Sequence, residues 1–184
     1  AIAACMVAKG EADAMLCGIE GRFDRHLRHV IEIIGSKTKG ERIASLSVLL
    51  LPQGPLFITD PYIDVGESVD AMVNTTLAAA QRVRDFGVTP KVAMLSHSNF
   101  GSSRSSAARK MRAATQRLHE LAPELAVDGE MHANAALDEN IREALVRHSN
   151  YEGAANLLVM PSLDAANISI DLLRTTSKAV LVGP

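Results

Sequence analysis

Three apolar runs, each followed by a longer segment with helical spacing, constrain the fold of this chain more than any other feature. Strands that alternate with helices of this length form βα units, which build a mostly parallel sheet with helices on both faces. We therefore expect an α/β fold of three layers, α/β/α. The predicted strand and helix of the successive units are 91–95 and 103–121, 124–127 and 133–148, and 156–160 and 164–176.

Apolar runs ahead of these units add an antiparallel feature to the sheet. The runs RIASLSVLLL and LFITD flank Pro52-Gln53-Gly54, a turn sequence that predicts a β-hairpin and therefore a mixed sheet. The remaining predicted elements are helices over 1–9, 22–34 and 68–86, a short strand over 12–18, and a last strand over 179–182.

Composition narrows the functional classes. The 184 residues fit a single domain, and 47% hydrophobic residues with only 3% aromatic ones imply a core of Ala, Val, Ile, Leu and Met. The net charge is -2 and the basic residues are spread along the chain, which argues against nucleic acid as a partner. No apolar run reaches the roughly 18 residues of a membrane span. Cys5 and Cys17 lack metal-ligand spacing, so we expect reduced thiols in a cytoplasmic protein.

The two ends of the sequence suggest a segment of a longer protein. The chain starts inside a predicted helix with no strand before it, and it stops at Gly183-Pro184 directly after a predicted strand. We expect one domain over 1–184 that is truncated at both ends.

The loop after the strand at 91–95 carries the richest set of polar groups. In open α/β sheets, ligands bind beyond the carboxyl ends of the strands, and free amides at a helix N-terminus with nearby hydroxyls suit a phosphate or carboxylate. The alternative is an ordinary turn in which Ser102 or Ser103 caps the following helix. The candidate ligand-binding residues of this loop are Ser96, Ser98, Asn99, Ser102 and Ser103.

Further candidates follow the later strands. Asp128 and Glu130 could serve acid/base chemistry or a metal, but carboxylates without further ligands are more often hydrogen-bonded structural groups, so we predict no metal site. Asp164 and Asn167 follow the strand at 156–160, and the simpler interpretation of Asp164 is a helix N-cap. No G-x-G-x-x-G dinucleotide fingerprint occurs in the sequence.

The segment GRFDRHLRH groups several basic side chains. On a helix, Arg25 and Arg28 share a face with His29 nearby, which forms either an anion clamp or a solvated charged face. His97 has a serine on each side, but sequence neighbours seldom face each other and G-x-S-x-G is absent. A Ser-His hydrolase is therefore not expected.

Four segments resemble the phosphate acetyl/butyryltransferase family in order and spacing: GEADAMLCG, PKVAMLSHSNFGSS, DGEMHANAAL and ANLLVMPSLDAANIS. The resemblance covers nearly the whole chain. Within the family, SHSNFGSS and DGEMH resemble the version fused to bacterial NADP-dependent malic enzymes. Stand-alone members typically have Ser-Tyr-Ser-Thr at 96–99, Asp at 134 and a Thr-Thr pair near 21–22, and all three positions differ here.

The resemblance implies a two-lobed α/β fold with the ligand cleft between the lobes, of which this chain is mostly the second lobe. It places Arg28 at the family's substrate-binding arginine. It places the family's catalytic Ser-Arg segment and its Asp beyond Gly183-Pro184, so no catalytic residue is assigned in this sequence. Members of the family work as dimers or larger oligomers, and we therefore expect self-association.

Two functional hypotheses follow from the resemblance. The first is a regulatory and assembly domain of an NADP-dependent malic enzyme, which binds acetyl-CoA or a related acyl-CoA. The parent protein would bind NADP and Mg²⁺ or Mn²⁺ elsewhere and convert malate to pyruvate. The second is part of an active phosphate acetyltransferase, in which CoA attacks acetyl phosphate to give acetyl-CoA and phosphate. The differences at 97, 99 and 134 favour the first hypothesis.

The 184 residues alone are expected to catalyse neither reaction. The sequence has no dinucleotide fingerprint, and the resemblance assigns the groups that position and stabilise the reacting phosphate to residues outside it. The measurements are malate-dependent reduction of NADP and formation of acetyl-CoA from acetyl phosphate and CoA. A rate above the buffer blank that co-purifies with the chain would contradict this prediction.

Overall fold

The computed structural model describes residues 1–18, 20–35, 43–59 and 68–183. The chain divides into two compact units, Ala1–Ile43 and Ala44–Pro184. All β-strands of the described residues lie in the second unit, which therefore contains the predicted sheet.

The first unit is helical. Helix α1 spans Ile2–Ala8 and helix α2 spans Phe23–His29, after which the chain continues as a π-helical turn over Val30–Ile34. Gly35 ends this run with a φ of 67°, a conformation that glycine adopts without steric cost. Both helices predicted in this region are confirmed.

The strand predicted over 12–18 is wrong. These residues form no regular element, and Leu16 is 100% exposed. An extended segment is stable only when a neighbouring strand satisfies its backbone hydrogen bonds. No strand of the described residues pairs with this segment, so its apolar run stays irregular.

The second unit is built on a six-stranded sheet. The strands are β1 (Leu46–Leu51), β2 (Gly54–Thr59), β3 (Lys91–Leu95), β4 (Ala126–Met131), β5 (Leu157–Val159) and β6 (Val180–Val182). The helices are α3 (Val69–Asp85), α4 (Ser106–Leu121), α5 (Ala133–Leu137), α6 (Glu139–Glu143) and α7 (Leu163–Ser177). No helix among the described residues has both the length and the apolar character needed to cross a lipid bilayer.

The sheet is mixed, with the strand order β4-β3-β5-β2-β1-β6. Strands β4, β3, β5 and β2 are parallel neighbours, whereas β1 runs antiparallel to both β2 and β6. Strands β1 and β2 form the predicted hairpin, in which Leu51 pairs with Gly54. The predicted α/β class with a mixed, mostly parallel sheet is confirmed.

Two apolar clusters lie on the two faces of the sheet. On one face, strand residues such as Leu157 pack with Met111 and Leu118 of α4 and with residues of α3. On the other face, α5 and α7 cover a second cluster to which Leu158 belongs. Successive strand residues point to opposite faces, which is why these two neighbouring leucines belong to different clusters. The unit therefore has the three layers expected from the alternation of strands and helices.

Several element boundaries differ from those predicted. Helix α4 begins at Ser106 and not at 103, and strand β4 begins at Ala126 and not at 124. The segment predicted as one helix over 133–148 contains two short helices, because Asp138 between them is extended and accepts the amides of Asn140 and Ile141 to cap α6. Strand β4 continues to Met131 instead of ending at 127, because its pairing with β3 extends that far.

The predicted helix caps are also corrected. Helix α4 is capped by Ser105, whose Oγ accepts the amide of Ala108, and not by Ser102 or Ser103. Helix α7 is capped by Ser162 and not by Asp164, which lies inside the first turn. Several adjacent residues could accept the same type of hydrogen bond, and the point at which the helix begins selects one of them.

A β-bulge in β4 decides the direction of its carboxylate. Met94 of β3 pairs with Gly129, and Leu95 pairs with Met131, so Glu130 is an extra residue without a partner in the ladder. Because the extra residue resets the alternation of side chains, Glu130 turns toward α4.

Gly129→Ala should destabilise the protein by roughly 2–4 kcal/mol. A Cβ at this position would lie 2.7 Å from both the Cβ and the carbonyl oxygen of Met94, and the φ of 147° is unfavourable for other residues. Chemical denaturation followed by far-UV circular dichroism measures the loss. Gly87→Ala is the matched control, because Gly87 has a φ of 76° but open space where a Cβ would lie. Equal losses in the two variants would contradict the steric argument.

Candidate functional site

The loop over 96–103 leaves the carboxyl end of β3 and is fastened along the end of β4. The amide of Ser96 donates to the carbonyl oxygen of Met131 at 2.8 Å, and the amide of Phe100 donates to the carbonyl oxygen of Glu130 at 2.7 Å. The loop therefore lies at the edge of the sheet where ligands of parallel α/β folds bind.

Glu130 is the central side chain of this site, and it is completely buried at 0% exposure. Its Oε1 accepts a hydrogen bond from the Ser98 hydroxyl at 2.7 Å and one from the Gly101 amide at 3.0 Å. Arg112 of α4 donates through Nε to Oε2 at 2.9 Å and through Nη2 to Oε1 at 2.8 Å, which makes a bidentate ion pair. Strand β4, the loop and α4 thus meet at one carboxylate.

The ion pair keeps Glu130 charged. Burial would raise the pKa of this carboxyl, because the carboxylate loses its hydration. The hydrogen bonds from Arg112, Ser98 and Gly101 outweigh burial and lower the pKa to about 2. The hydrogen bond to Glu130 in turn raises the pKa of the Arg112 guanidinium. Both partners are therefore ionised near neutral pH.

Most other polar groups of the loop hold the loop itself. Ser102 Oγ accepts the Asn99 amide at 2.9 Å, and Ser98 Oγ accepts the Ser103 amide at 2.9 Å. Asn99 Oδ1 accepts the amide of His132 at 2.7 Å, which ties the loop to the residue after β4. These hydroxyls and amides are engaged within the protein.

His97 is an exposed side chain of the loop, and its partners lie further along the chain. Its Nε2 lies 3.3 Å from Ser103 Oγ and 3.2 Å from Ser105 Oγ. Among the described residues, no carboxylate contacts this imidazole, so the arrangement lacks the third group that orients the base in a Ser-His-Asp triad.

Asp128 and Glu130 do not form a common site, although they are two residues apart. Asp128 accepts hydrogen bonds from Ser149 Oγ at 2.8 Å, from the Asn150 amide at 2.9 Å and from Asn150 Nδ2 at 2.6 Å. Residues two apart on a regular strand share a face, and the bulge separates these two. Within residues 1–18, 20–35, 43–59 and 68–183, no group of three or more His, Cys, Asp or Glu side chains could hold a metal ion.

The remaining candidates do not join the hydrogen-bond network around Glu130. Ser96 carries a buried hydroxyl that has no hydrogen-bond partner among the described residues. Asp164 and Asn167 are exposed residues of α7, which packs on the other face of the sheet from α4. Arg28 is exposed on α2 in the first unit. The candidates that the structure brings together are Ser98, Asn99, Ser102, Ser103 and Glu130.

Sequence reasoning missed Arg112. Ala108, Met111 and Thr115 are buried on α4, and position 112 completes the i, i+3, i+4, i+7 spacing of that face. A charged residue at such a position implies a partner of opposite charge. The signal is present in the sequence, but only the fold identifies Glu130 as the partner.

A second missed arginine, Arg142, is completely buried and organises the segment after α6. Its Nη2 donates to the carbonyl oxygens of Tyr151 at 3.1 Å and Gly153 at 2.8 Å, and its guanidinium lies 4.2 Å from the centre of the Tyr151 ring. Its Nε donates to Ser149 Oγ at 2.9 Å, and the same hydroxyl bonds to Asp128. The Ser149 hydroxyl thus links the buried Arg142 to the buried Asp128.

The family model of phosphate acetyl/butaryl transferase matches residues 1–184, which is the whole chain. The chain belongs to this family. The structure of this family member is similar to that of the EutD phosphotransacetylase from Staphylococcus aureus, with a TM-score of 0.86 and 27% sequence identity. That match covers 97% of this chain and 56% of the other one. The expected likeness to the phosphotransacetylase fold is confirmed.

Relatives of two kinds are similar to this phosphate acetyl/butaryl transferase family member. A NAD-dependent malic enzyme from Rhizobium meliloti is 47% identical and the NADP-dependent malic enzyme from Escherichia coli is 46% identical, and each match covers 100% of this chain and 24% of the relative. A phosphate acetyltransferase from Acetivibrio thermocellus is 32% identical over 97% of this chain and 56% of the relative. The chain thus spans about a quarter of the malic enzymes and about half of the acetyltransferase.

Glu130→Gln should remove a pH-dependent part of the stability. The pKa of Glu130 is about 2 in the folded protein against an ordinary value of 4.5, so the wild type loses this contribution as the pH falls from about 4.5 to about 2. The shift corresponds to on the order of 3 kcal/mol near neutral pH. Urea denaturation should therefore show a larger gap between wild type and variant at about pH 7 than at about pH 3.

Glu120→Gln is the matched control. Glu120 pairs with Arg117 on the same helix, but its side chain is 64% exposed. Exposed pairs contribute about 0–1 kcal/mol, so this variant should follow the wild type at both pH values. If Glu130→Gln costs the same free energy of unfolding at both pH values, the charge of the carboxylate is not what stabilises the site.

Proposed function

We propose that this chain is the phosphotransacetylase-like part of a NAD- or NADP-dependent malic enzyme, and that it binds acetyl-CoA or a related acyl-CoA as a regulatory ligand. The observation that carries the proposal is the match of the whole chain to four malic enzymes at 43% to 47% identity. The match to the Acetivibrio thermocellus phosphate acetyltransferase is weaker, at 32%. The parent enzyme would carry out the oxidative decarboxylation of malate to pyruvate in the cytoplasm.

The conformation of the loop over 96–103 supports a ligand-binding role. The loop follows β3 at the carboxyl edge of the sheet and contacts the ion pair between the buried Glu130 and the partly exposed Arg112, which gives it a defined shape. His97 and Asn99, at which the loop differs from the pattern of stand-alone family members, both make contacts within it or to its neighbours. The loop is therefore held in place by a set of side chains that differs from the pattern of stand-alone family members, and this difference favours the malic-enzyme type of the family.

The parent protein's coenzyme and metal belong to the same proposal. Relatives named for NAD and for NADP are both close to half identical to this chain, so either coenzyme fits. In the part of the chain that the structure describes, no cluster of side chains suits Mg²⁺ or Mn²⁺. This chain covers 24% of each of the malic enzymes from Rhizobium meliloti and Escherichia coli. We propose that it serves regulation and assembly, and that the rest of the parent enzyme oxidises malate.

Self-association is part of the proposed role in assembly. Ile168 and Leu172 lie one turn apart on α7 and are 59% and 60% exposed. Apolar side chains spaced in this way on one helix face suit the surface of a second protomer.

The alternative is part of an active phosphate acetyltransferase. The likeness to the EutD phosphotransacetylase, with a TM-score of 0.86, favours it, because the fold is similar over nearly all of this chain. The two functions differ in what the full-length parent does with acetyl phosphate and CoA. Formation of acetyl-CoA at a rate comparable to malate oxidation would support the transferase.

In the full-length enzyme that contains this chain, Arg28→Ala should raise the half-maximal acetyl-CoA concentration by about tenfold or more. The resemblance to the family places Arg28 at the substrate-binding arginine, and its side chain is exposed on α2. A charge-assisted contact to an anionic ligand contributes roughly 1.5–3 kcal/mol. Basal malate oxidation should change little. Steady-state rates of malate oxidation across a range of acetyl-CoA concentrations measure the effect.

Arg22→Ala is the control, because Arg22 is paired with Asp24 on the surface and its side chain is 87% exposed. This variant should keep the parental response. If Arg28→Ala also keeps it, Arg28 is not part of the effector site. If acetyl-CoA and related acyl-CoA thioesters leave the parental rate unchanged, the proposed regulatory function is wrong.

A further inference from the structure

The carboxylate of Glu130 is surrounded by hydrogen-bond donors of the loop over 96–103 and of α4. The donors that surround it are the Ser98 hydroxyl, the Gly101 amide and two guanidinium nitrogens of Arg112, all between 2.7 and 3.0 Å from its oxygens. A hydroxyl, a main-chain amide and a bidentate guanidinium are the groups with which proteins bind phosphates and carboxylates. The donor set is therefore that of an anion-binding pocket, and the anion is a side chain of the same protein.

The backbone conformation of β4 directs the Glu130 carboxylate toward Arg112. A regular β4 would direct Glu130 to the same face as Asp128, and the bulge instead directs it toward α4. The bulge requires Gly129, because a Cβ there would lie 2.7 Å from Met94. Gly101 of the loop packs against the Arg112 guanidinium, because a Cβ built at Gly101 would lie 3.8 Å from Arg112 Cζ.

We infer that Glu130 is an internal anion that fills the anion-binding pocket of this loop, so that Ser98, Gly101 and Arg112 bind this carboxylate and not the phosphate or carboxylate of a ligand. The inference rests on the proposed function only in treating the loop as part of the acyl-CoA site. There it makes Glu130 and Arg112 positioning residues, which shape the loop while other groups meet the ligand.

Removal of the side chain tests the inference, because the empty pocket should accept a small carboxylate. Glu130→Ala should lower the melting temperature by roughly 5–10 °C. Sodium formate should restore at least half of that loss, whereas sodium chloride at the same ionic strength should not. Wild type should not respond to formate beyond its response to chloride, because its pocket is already filled. Equal effects of formate and chloride on Glu130→Ala would overturn the inference.

Two further variants separate an anion pocket from a simple cavity. Leu158→Ala also empties a buried position, but Leu158 lies in an apolar cluster without donors, so formate should not stabilise this variant. Arg112→Gln combined with Glu130→Ala should lose the response to formate, because the bidentate donor is gone. If either variant responds as strongly as Glu130→Ala, the rescue does not come from this pocket.

A failure of Glu130→Ala to fold would not end the test. The variant can be refolded from denaturant in formate and, in parallel, in chloride. Recovery of native circular dichroism in formate alone supports the inference, and equal failure in both salts overturns it.

Acetyl-CoA dependence in the full-length enzyme distinguishes this inference from the proposed function. If the loop contributes to the effector site, Glu130→Ala should raise the half-maximal acetyl-CoA concentration several-fold, and formate should reverse the change. Rescue of the melting temperature by formate with an unaltered acetyl-CoA response would uphold the internal anion and remove the loop from the proposed effector site.

Discussion

The ion pair between Glu130 and Arg112 joins the parts of the molecule that form the candidate site. A carboxylate without solvent exposure is stable only when its charge is compensated, and here the guanidinium, a hydroxyl and a main-chain amide compensate it. Residues 98–103 curve around this carboxylate so that Ser98 and Gly101 can donate to it, and α4 therefore begins only after Ser105. The shape of the loop and the start of the helix thus depend on the same carboxylate.

Strand β4 holds two different segments through two acidic residues. Asp128 accepts hydrogen bonds from Ser149 and Asn150, and Arg142 also donates to the Ser149 hydroxyl. Glu130 accepts a hydrogen bond from Ser98 in the loop after β3. Both carboxylates are buried and accept hydrogen bonds from the segments that they hold, so each fixes its segment without a ligand. The loop after β3 is therefore ordered by contacts within the protein itself.

The local sequence predicted a regular element correctly where only one conformation suited the segment. The strand at 91–95 and the hairpin around Pro52 and Gln53 agree with the structure. The cap of α4 did not, because several serines lie close together and each can accept an amide hydrogen bond. The choice among them depends on the contact between the loop and Glu130, which joins residues about thirty positions apart.

The sequence by itself determined the α/β class, the polar loop after β3 and membership of the family, because periodicity and motif spacing are properties of neighbouring residues. Only the tertiary structure decided that the side chains of Asp128 and Glu130 point to different faces of the strand, and that Arg112 pairs with Glu130. The direction of a strand side chain depends on how its strand pairs, and the bulge opposite Met94 exists only in that pairing. Glu130, which the sequence pattern predicts as a ligand-binding residue, is therefore the ion-pair partner of Arg112.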